Sequence, residues 1–233
     1  MEKLRVTVWN ESDQPFEPYP QGINRAIADF LRNSGEFSMV REVLQSQPEH
    51  GLTEEVLADT DVLIYWAHMY HHEMDDSIVE RLRHRVLNGM GLILLHSAHA
   101  SKIFSRLMGT ETGRLRWREI GELEKVWCIE PYHPIAQGVP ECINIPNSEM
   151  YGENFQIPAP DELLFISWYA GGEVFRSGCT FKRGGGKIFF FAPGHETFPI
   201  YYMPQIQRII INGVKWAATP GRADIITGNV PAL

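Results

Sequence analysis

Three histidines, His68, His96 and His195, each fall at or just beyond the end of a short, strongly apolar run. The runs cover residues 62–66, 92–95 and 187–191, and each predicts a strand buried on both faces. Ligands of an open parallel sheet bind beyond the carboxyl ends of its strands, so three imidazoles placed there predict one shared site. Imidazole suits zinc and other divalent metals, and it also exchanges a proton near neutral pH. His68, His96 and His195 are therefore the expected metal ligands. His72 can join them if the segment Trp66-Ala67-His68-Met69-Tyr70-His71-His72-Glu73 coils, because residues four apart share a helix face.

Carboxylates and hydroxyls surround these positions. Glu196 follows His195 directly, and Glu149 sits in Asn147-Ser148-Glu149-Met150-Tyr151, where it can hang over the same strand ends. His96, His195 and Glu149 are the expected catalytic groups. In Leu95-His96-Ser97-Ala98-His99, a buried strand runs into a short helical stretch, the setting of a nucleophile elbow with His96 or Ser97 raised. The glycines of Gly-x-Ser-x-Gly are replaced by Leu95 and His99, which argues against a serine hydrolase. The run Gly184-Gly185-Gly186-Lys187 lacks the spacing and the Ser or Thr of a phosphate loop and predicts a hairpin turn, so no nucleotide cofactor is expected.

The elements that must carry these residues alternate. Residues 4–9 read as a strand followed by a Pro-rich loop, and Ile23, Ala26, Ile27, Phe30 and Leu31 recur at helical spacing until Gly35. A strand around 39–44, a helix after Thr53, and a helix carrying Ile78, Leu82 and Val86 follow the same scheme. Strands alternating with helices predict parallel βαβ units in a doubly wound sheet. From about 114 to 182 the chain changes to short alternating segments with many turn residues, predicting a β-rich insertion that adds antiparallel strands and loops at the sheet edge or above its ligand-binding end. Residues 204–217 present the clearest helical stripe, and the tail after Pro220 is turn-rich. The whole, 1–233, reads as a single α/β domain.

Composition narrows the classes. The chain of 233 residues is 44% hydrophobic and 21% charged, enough for one sizeable core. A net charge of −8 opposes the basic footprint of nucleic-acid binding. No apolar run approaches the roughly 18 residues of a membrane span, so a soluble, cytoplasmic protein with no membrane partner is expected. The three cysteines are too few and too scattered for a disulfide framework or a Cys-based zinc site. Association between copies is left open, since the aromatic-rich insertion can shield the site or form a homo-oligomer contact.

Taken together, Val8-Trp9-Asn10-Glu11, Trp66-Ala67-His68, Leu95-His96-Ser97-Ala98-His99, His133-Pro134-Ile135 with Gly138, Glu149-Met150-Tyr151 and Gly194-His195-Glu196 resemble the ThuA-like family over nearly the whole chain. The resemblance implies a flavodoxin-like, class I glutamine amidotransferase-like three-layer α/β/α sandwich with a mostly parallel sheet. It also implies a part in using trehalose or related disaccharides, including oxidised keto forms. Amidotransferase relatives carry a nucleophilic cysteine at the elbow, where this chain has His96-Ser97, so glutamine hydrolysis is disfavoured.

Three readings stay open. The first is a metal-assisted sugar enzyme, with Glu149 or Glu196 as acid or base and with Asn10, Glu11, Trp66, Ser97, His99, Tyr151 and Glu196 as sugar contacts. The second removes the metal and uses His96 and His195 as acid and base. The third is a carbohydrate-binding or regulatory module without turnover.

Overall fold

The computed structural model describes residues 4–111 and 114–219; the turn-rich tail expected after Pro220 lies outside them. In chain order the first half runs β1 (Arg5–Asn10), α1 (Ile23–Ser34), β2 (Met39–Leu44), α2 (Glu54–Ala58), β3 (Val62–Ala67), α3 (Asp76–Leu87), β4 (Gly91–His96) and α4 (Lys102–Met108). The second half runs β5 (Arg116–Cys128), β6 (Cys142–Gly152), β7 (Glu162–Tyr169), β8 (Val174–Arg183), β9 (Gly186–Phe191) and α5 (Pro204–Ala217).

Helix starts and stops follow local chemistry. Thr53 accepts a hydrogen bond from Val56 N at the head of α2, and Ser101 does the same for Phe104 N at the head of α4. Gly35 closes α1 in the left-handed conformation, φ 67°, where a side chain would be strained. In α5 one stripe, including Ile206, Ile209, Ile210 and Val214, is fully buried. Each such side chain contributes on the order of 1.5–3 kcal/mol, so packing rather than helix propensity holds α5 in place.

The nine strands of the described residues form one sheet, in the order β2-β1-β3-β4-β9-β8-β7-β5-β6. Among the parallel strands β2, β1, β3, β4 and β9 the order is the doubly wound one, which reverses direction between β1 and β3. Helices α1 and α5 cover one face of these strands, while α2, α3 and α4 cover the other, giving two apolar cores. With both faces covered, β3 and β4 are buried at every position, which is why their sequences are continuous apolar runs.

The sheet is not mostly parallel, contrary to the sequence-based expectation. Strands β5 to β8 continue it beyond β9 through antiparallel pairings, and they are longer than the parallel strands. The insertion can do this because β8 returns into β9 through a tight hairpin in which Arg183 pairs with Gly186, so the last parallel strand is also the first partner of the antiparallel set. Among the described residues no helix is long and apolar enough to cross a membrane.

Candidate functional site: a histidine cluster at the strand ends

Strand β4 ends at His96, whose backbone takes φ 55° and ψ −129°, a conformation rare for any residue with a side chain. A single turn of 3-10 helix, Ser97–Ala100, and then α4 follow. This is the strand, sharp turn and helix of a nucleophile elbow, and the raised residue is an imidazole. Ser97, next along, shares a short hydrogen bond with the Tyr151 hydroxyl and so has a phenol as its partner. The His96 ring stacks with Trp66 (centroids 6.0 Å, 14° between planes) and with Tyr151 (5.6 Å, 16°). Its Nδ1 lies 3.4 Å from the Ala192 carbonyl, and its Nε2 lies 3.5 Å from Glu149 Oε2.

His68 follows β3, the neighbour of β4, and its Nδ1–H donates to Glu196 Oε1 at 2.7 Å. His195 follows β9, the other neighbour of β4, after Gly194 at φ 145°. Close approach here demands glycine, since a Cβ on residue 194 would lie 2.0 Å from the Tyr201 hydroxyl. The Trp66 indole N–H donates to the Gly194 carbonyl at 3.0 Å and ties this loop to β3. His195 Nδ1 faces both the Thr197 hydroxyl (2.8 Å) and the Thr197 backbone N–H (3.2 Å). The hydroxyl can accept from one ring tautomer and the N–H can donate to the other, so this ring has partners in both forms.

The three rings form a nearly regular triangle, with centroids 4.8 Å, 5.0 Å and 5.2 Å apart. One ligand atom from each of His68, His96, Glu149 and His195 lies within 4.8 Å of the others. Glu149 reaches the group from β6 in the insertion, and its Oε2 is buried without a hydrogen-bond partner among the described residues, as is His195 Nε2.

Burial dominates the electrostatics. It pushes Glu149 up to about 7, with the His68 charge opposing and nearby Glu119 and Glu196 adding to the rise. Burial and the neighbouring rings hold His96 well below the ordinary histidine value, and burial also lowers His195. At His68 burial works against protonation, but the Glu196 hydrogen bond and surrounding carboxylates outweigh it and raise the ring. Glu196 is lowered in return, because His68 overcomes its burial.

The other expected contacts divide into two groups. His68, Ser97, His99, Glu149 and Tyr151 line a cavity of about 350 Å³, which His68 and Glu149 reach from the cluster while His96 and His195 lie buried beside them. His99 is buried, with neither ring nitrogen hydrogen-bonded, and burial pushes it down to about 3. Asn10, Glu11, Trp66 and Glu196 are buried and do not line that cavity, and Glu11 borders a separate one with Gln45, His50 and Tyr70. Glu11 accepts from the Met69 and Tyr70 backbone N–H groups at 2.5 and 3.1 Å, shaping the loop that carries His68, and Asn10 accepts from Ser12 N at 3.2 Å. His72 stands outside the cluster and is exposed, because His71–Glu73 wind one 3-10 turn instead of the α-helix that would align it with His68. A larger groove, about 710 Å³, runs between α1 and α5 but contains none of the clustered histidines.

Five cavity residues, Met69, Ala100, Leu115, Trp117 and Glu119, were not expected from the sequence. The signal for three of them is the alternation of 115, 117 and 119, which places all three on one face of an extended segment. Glu119 Oε1 also lies 3.5 Å from His195 Nε2.

A structure of a ThuA-like protein from Parabacteroides merdae superposes with a TM-score of 0.71 at 17% identity, covering 99% of this chain and 94% of that one. A cytoplasmic protein from Salmonella typhimurium gives a TM-score of 0.63 at 12% identity, with 92% and 99% covered. The β-galactosidase of Bacillus circulans sp. alkalophilus contains a similar fold in 32% of its length, covering 94% of this chain at 11% identity with a TM-score of 0.57. No curated protein matches the sequence. The family model described as ThuA, trehalose utilisation, matches residues 5–217. The chain belongs to the ThuA family.

Proposed function

We propose that this protein is an enzyme of sugar utilisation that acts on trehalose or a related disaccharide, or on its oxidised keto form, at the histidine cluster. The carrying observation is the convergence of His68, His96, His195 and Glu149 to within 4.8 Å, with His68 and Glu149 lining an open cavity. Family membership supplies the sugar.

The donor set fits a divalent metal, zinc foremost, held by His68, His96 and His195. Three imidazoles with a carboxylate beside them match catalytic zinc chemistry. The hydrogen bond from His68 to Glu196 is the outer support such a ligand normally has, and His96 Nδ1 faces a carbonyl in the same way. Glu149 Oε2 and His195 Nε2, without a hydrogen bond among the described residues, are the atoms left to meet an ion or a substrate. When bound, the ion would polarise a sugar oxygen or activate water.

The protein's own groups supply the rest. Glu149, raised to about 7, can give or take a proton near neutral pH. Glu196 is engaged by His68 and acts through it, which leaves Glu149 as the acid or base. Tyr151 and Ser97, hydrogen-bonded to each other, and His99 present polar groups to sugar hydroxyls from the cavity wall. Histidine at the elbow does not supply the thiol of glutamine hydrolysis, and Cys128, Cys142 and Cys179 lie in β5, β6 and β8. We place the protein in the cytoplasm, with the structurally similar Salmonella protein of that description in support.

A metal-free acid–base reaction is favoured by one observation, the two-sided support of His195 Nδ1 by Thr197, which accommodates either tautomer as a proton moves. Incubation with trehalose and with its keto derivative, before and after chelation and zinc addition, separates the readings. Turnover that chelation abolishes, zinc restores and His195→Ala removes is expected. Turnover indifferent to chelation selects the acid–base reading, and sugar binding without product under any metal condition defeats both and leaves a binding module.

A further inference from the structure

We infer that Trp117 forms a second sugar subsite, a stacking platform for the ring of a disaccharide that does not react. The inference rests on the sugar reading of the histidine cluster and deepens it. Trp117 pairs across the β5–β6 ladder with Tyr151, and directly opposed residues of an antiparallel pair point to the same face. Tyr151 hydrogen-bonds Ser97 and stacks on His96, so the register alone brings Trp117 to the histidine side of the sheet.

Alternation along the segment does the rest. Leu115, Trp117 and Glu119 line the cavity, while Arg116 and Arg118 turn away to Glu153 O, Glu122 and Glu173. Trp117 is 65% exposed although it lines a concave site, and Met69, which also lines it, is 63% exposed. Two large apolar side chains left in water beside buried histidines and carboxylates form an apolar rim over a polar floor. The C–H face of a pyranose packs flat on an indole, while its equatorial hydroxyls reach polar groups at the side, the role Glu119 can take here. A cavity of about 350 Å³ lies within the range of small-molecule sites. The chemistry selects a two-ring neutral sugar, with one ring over the histidines and the other on Trp117.

Calorimetry of the native protein and of Trp117→Phe and Trp117→Ala, with trehalose and with glucose as probes, tests the subsite. Loss of an aromatic contact of this kind corresponds to about a tenfold change in affinity. In Trp117→Ala the trehalose Kd is expected to rise about tenfold more than the glucose Kd, with Trp117→Phe recovering most of the difference. Trehalose is also expected to shield tryptophan emission from acrylamide in the native protein but not in Trp117→Phe. If both sugars bind and the Kd ratio stays within twofold in Trp117→Ala, the subsite is overturned and the sugar reading stands. If neither sugar binds the native protein, with or without zinc, the subsite is overturned, while the sugar reading is decided separately by turnover of the keto derivative.

Discussion

His68 and Glu196 meet at 2.7 Å across 128 residues of chain, imidazole Nδ1–H against carboxylate oxygen. That contact fixes the ring, whose centroid lies 5.0 Å from that of His96 and 4.8 Å from that of His195. Outer partners of this kind typically change metal affinity by 10- to 100-fold when removed. Glu196→Gln is therefore expected to weaken zinc binding by about that factor while leaving the far-ultraviolet circular dichroism unchanged. Zinc affinity within twofold of the native value would show that Glu196 does not act through His68.

The elevated Glu149 carboxyl makes stability depend on pH in a defined direction. Its folded value, about 7, lies above the ordinary 4.5, so the native state holds the proton more tightly than the unfolded chain. Its favourable contribution is fully present below about 4.5 and is lost as pH rises to about 7. In metal-stripped protein, Glu149→Gln removes that titration. The variant should gain roughly 2–3 kcal/mol relative to the native protein between pH 4 and pH 8. Urea midpoints at the two pH values provide the check, and a constant difference would show that Glu149 titrates normally.

Gly194 is expected to tolerate no side chain. Its φ of 145° and the 2.0 Å approach of the Tyr201 hydroxyl to a Cβ force the loop ahead of His195 to move. Gly194→Ala should cost on the order of 2–4 kcal/mol and displace His195, weakening metal binding as well. Adding Tyr201→Phe removes the nearest clashing atom and should restore part of the stability. An alanine variant with native thermal stability and native zinc affinity would contradict this account of the loop.

The strand-end histidines were legible because β3, β4 and β9 are covered on both faces and therefore appear as unbroken apolar runs with a polar residue at the end. Their adjacency was not written in any run; it comes from the order β3-β4-β9, which passes over the entire insertion. Glu149 could be suspected beside Tyr151, but its place in the cluster depends on β5 and β6 folding back over the strand ends. The same long-range pairing made the sheet half antiparallel, where the family resemblance pointed to a mostly parallel one. His72 failed for a local reason, since four-residue spacing matters only in an α-helix and the chain there makes one 3-10 turn. Trp117 and Glu119 were hidden among alternating arginines whose outward direction only the β5–β6 register reveals.

Metal content of the purified protein, measured by elemental analysis beside His96→Ala and His195→Ala, decides whether the histidines hold a metal. Close to one zinc per native chain is expected, lost in both variants while each stays folded by circular dichroism. A native protein that carries no divalent metal and takes up none in dialysis against zinc would contradict the metal centre and leave His96, His195 and Glu149 as proton-transfer groups.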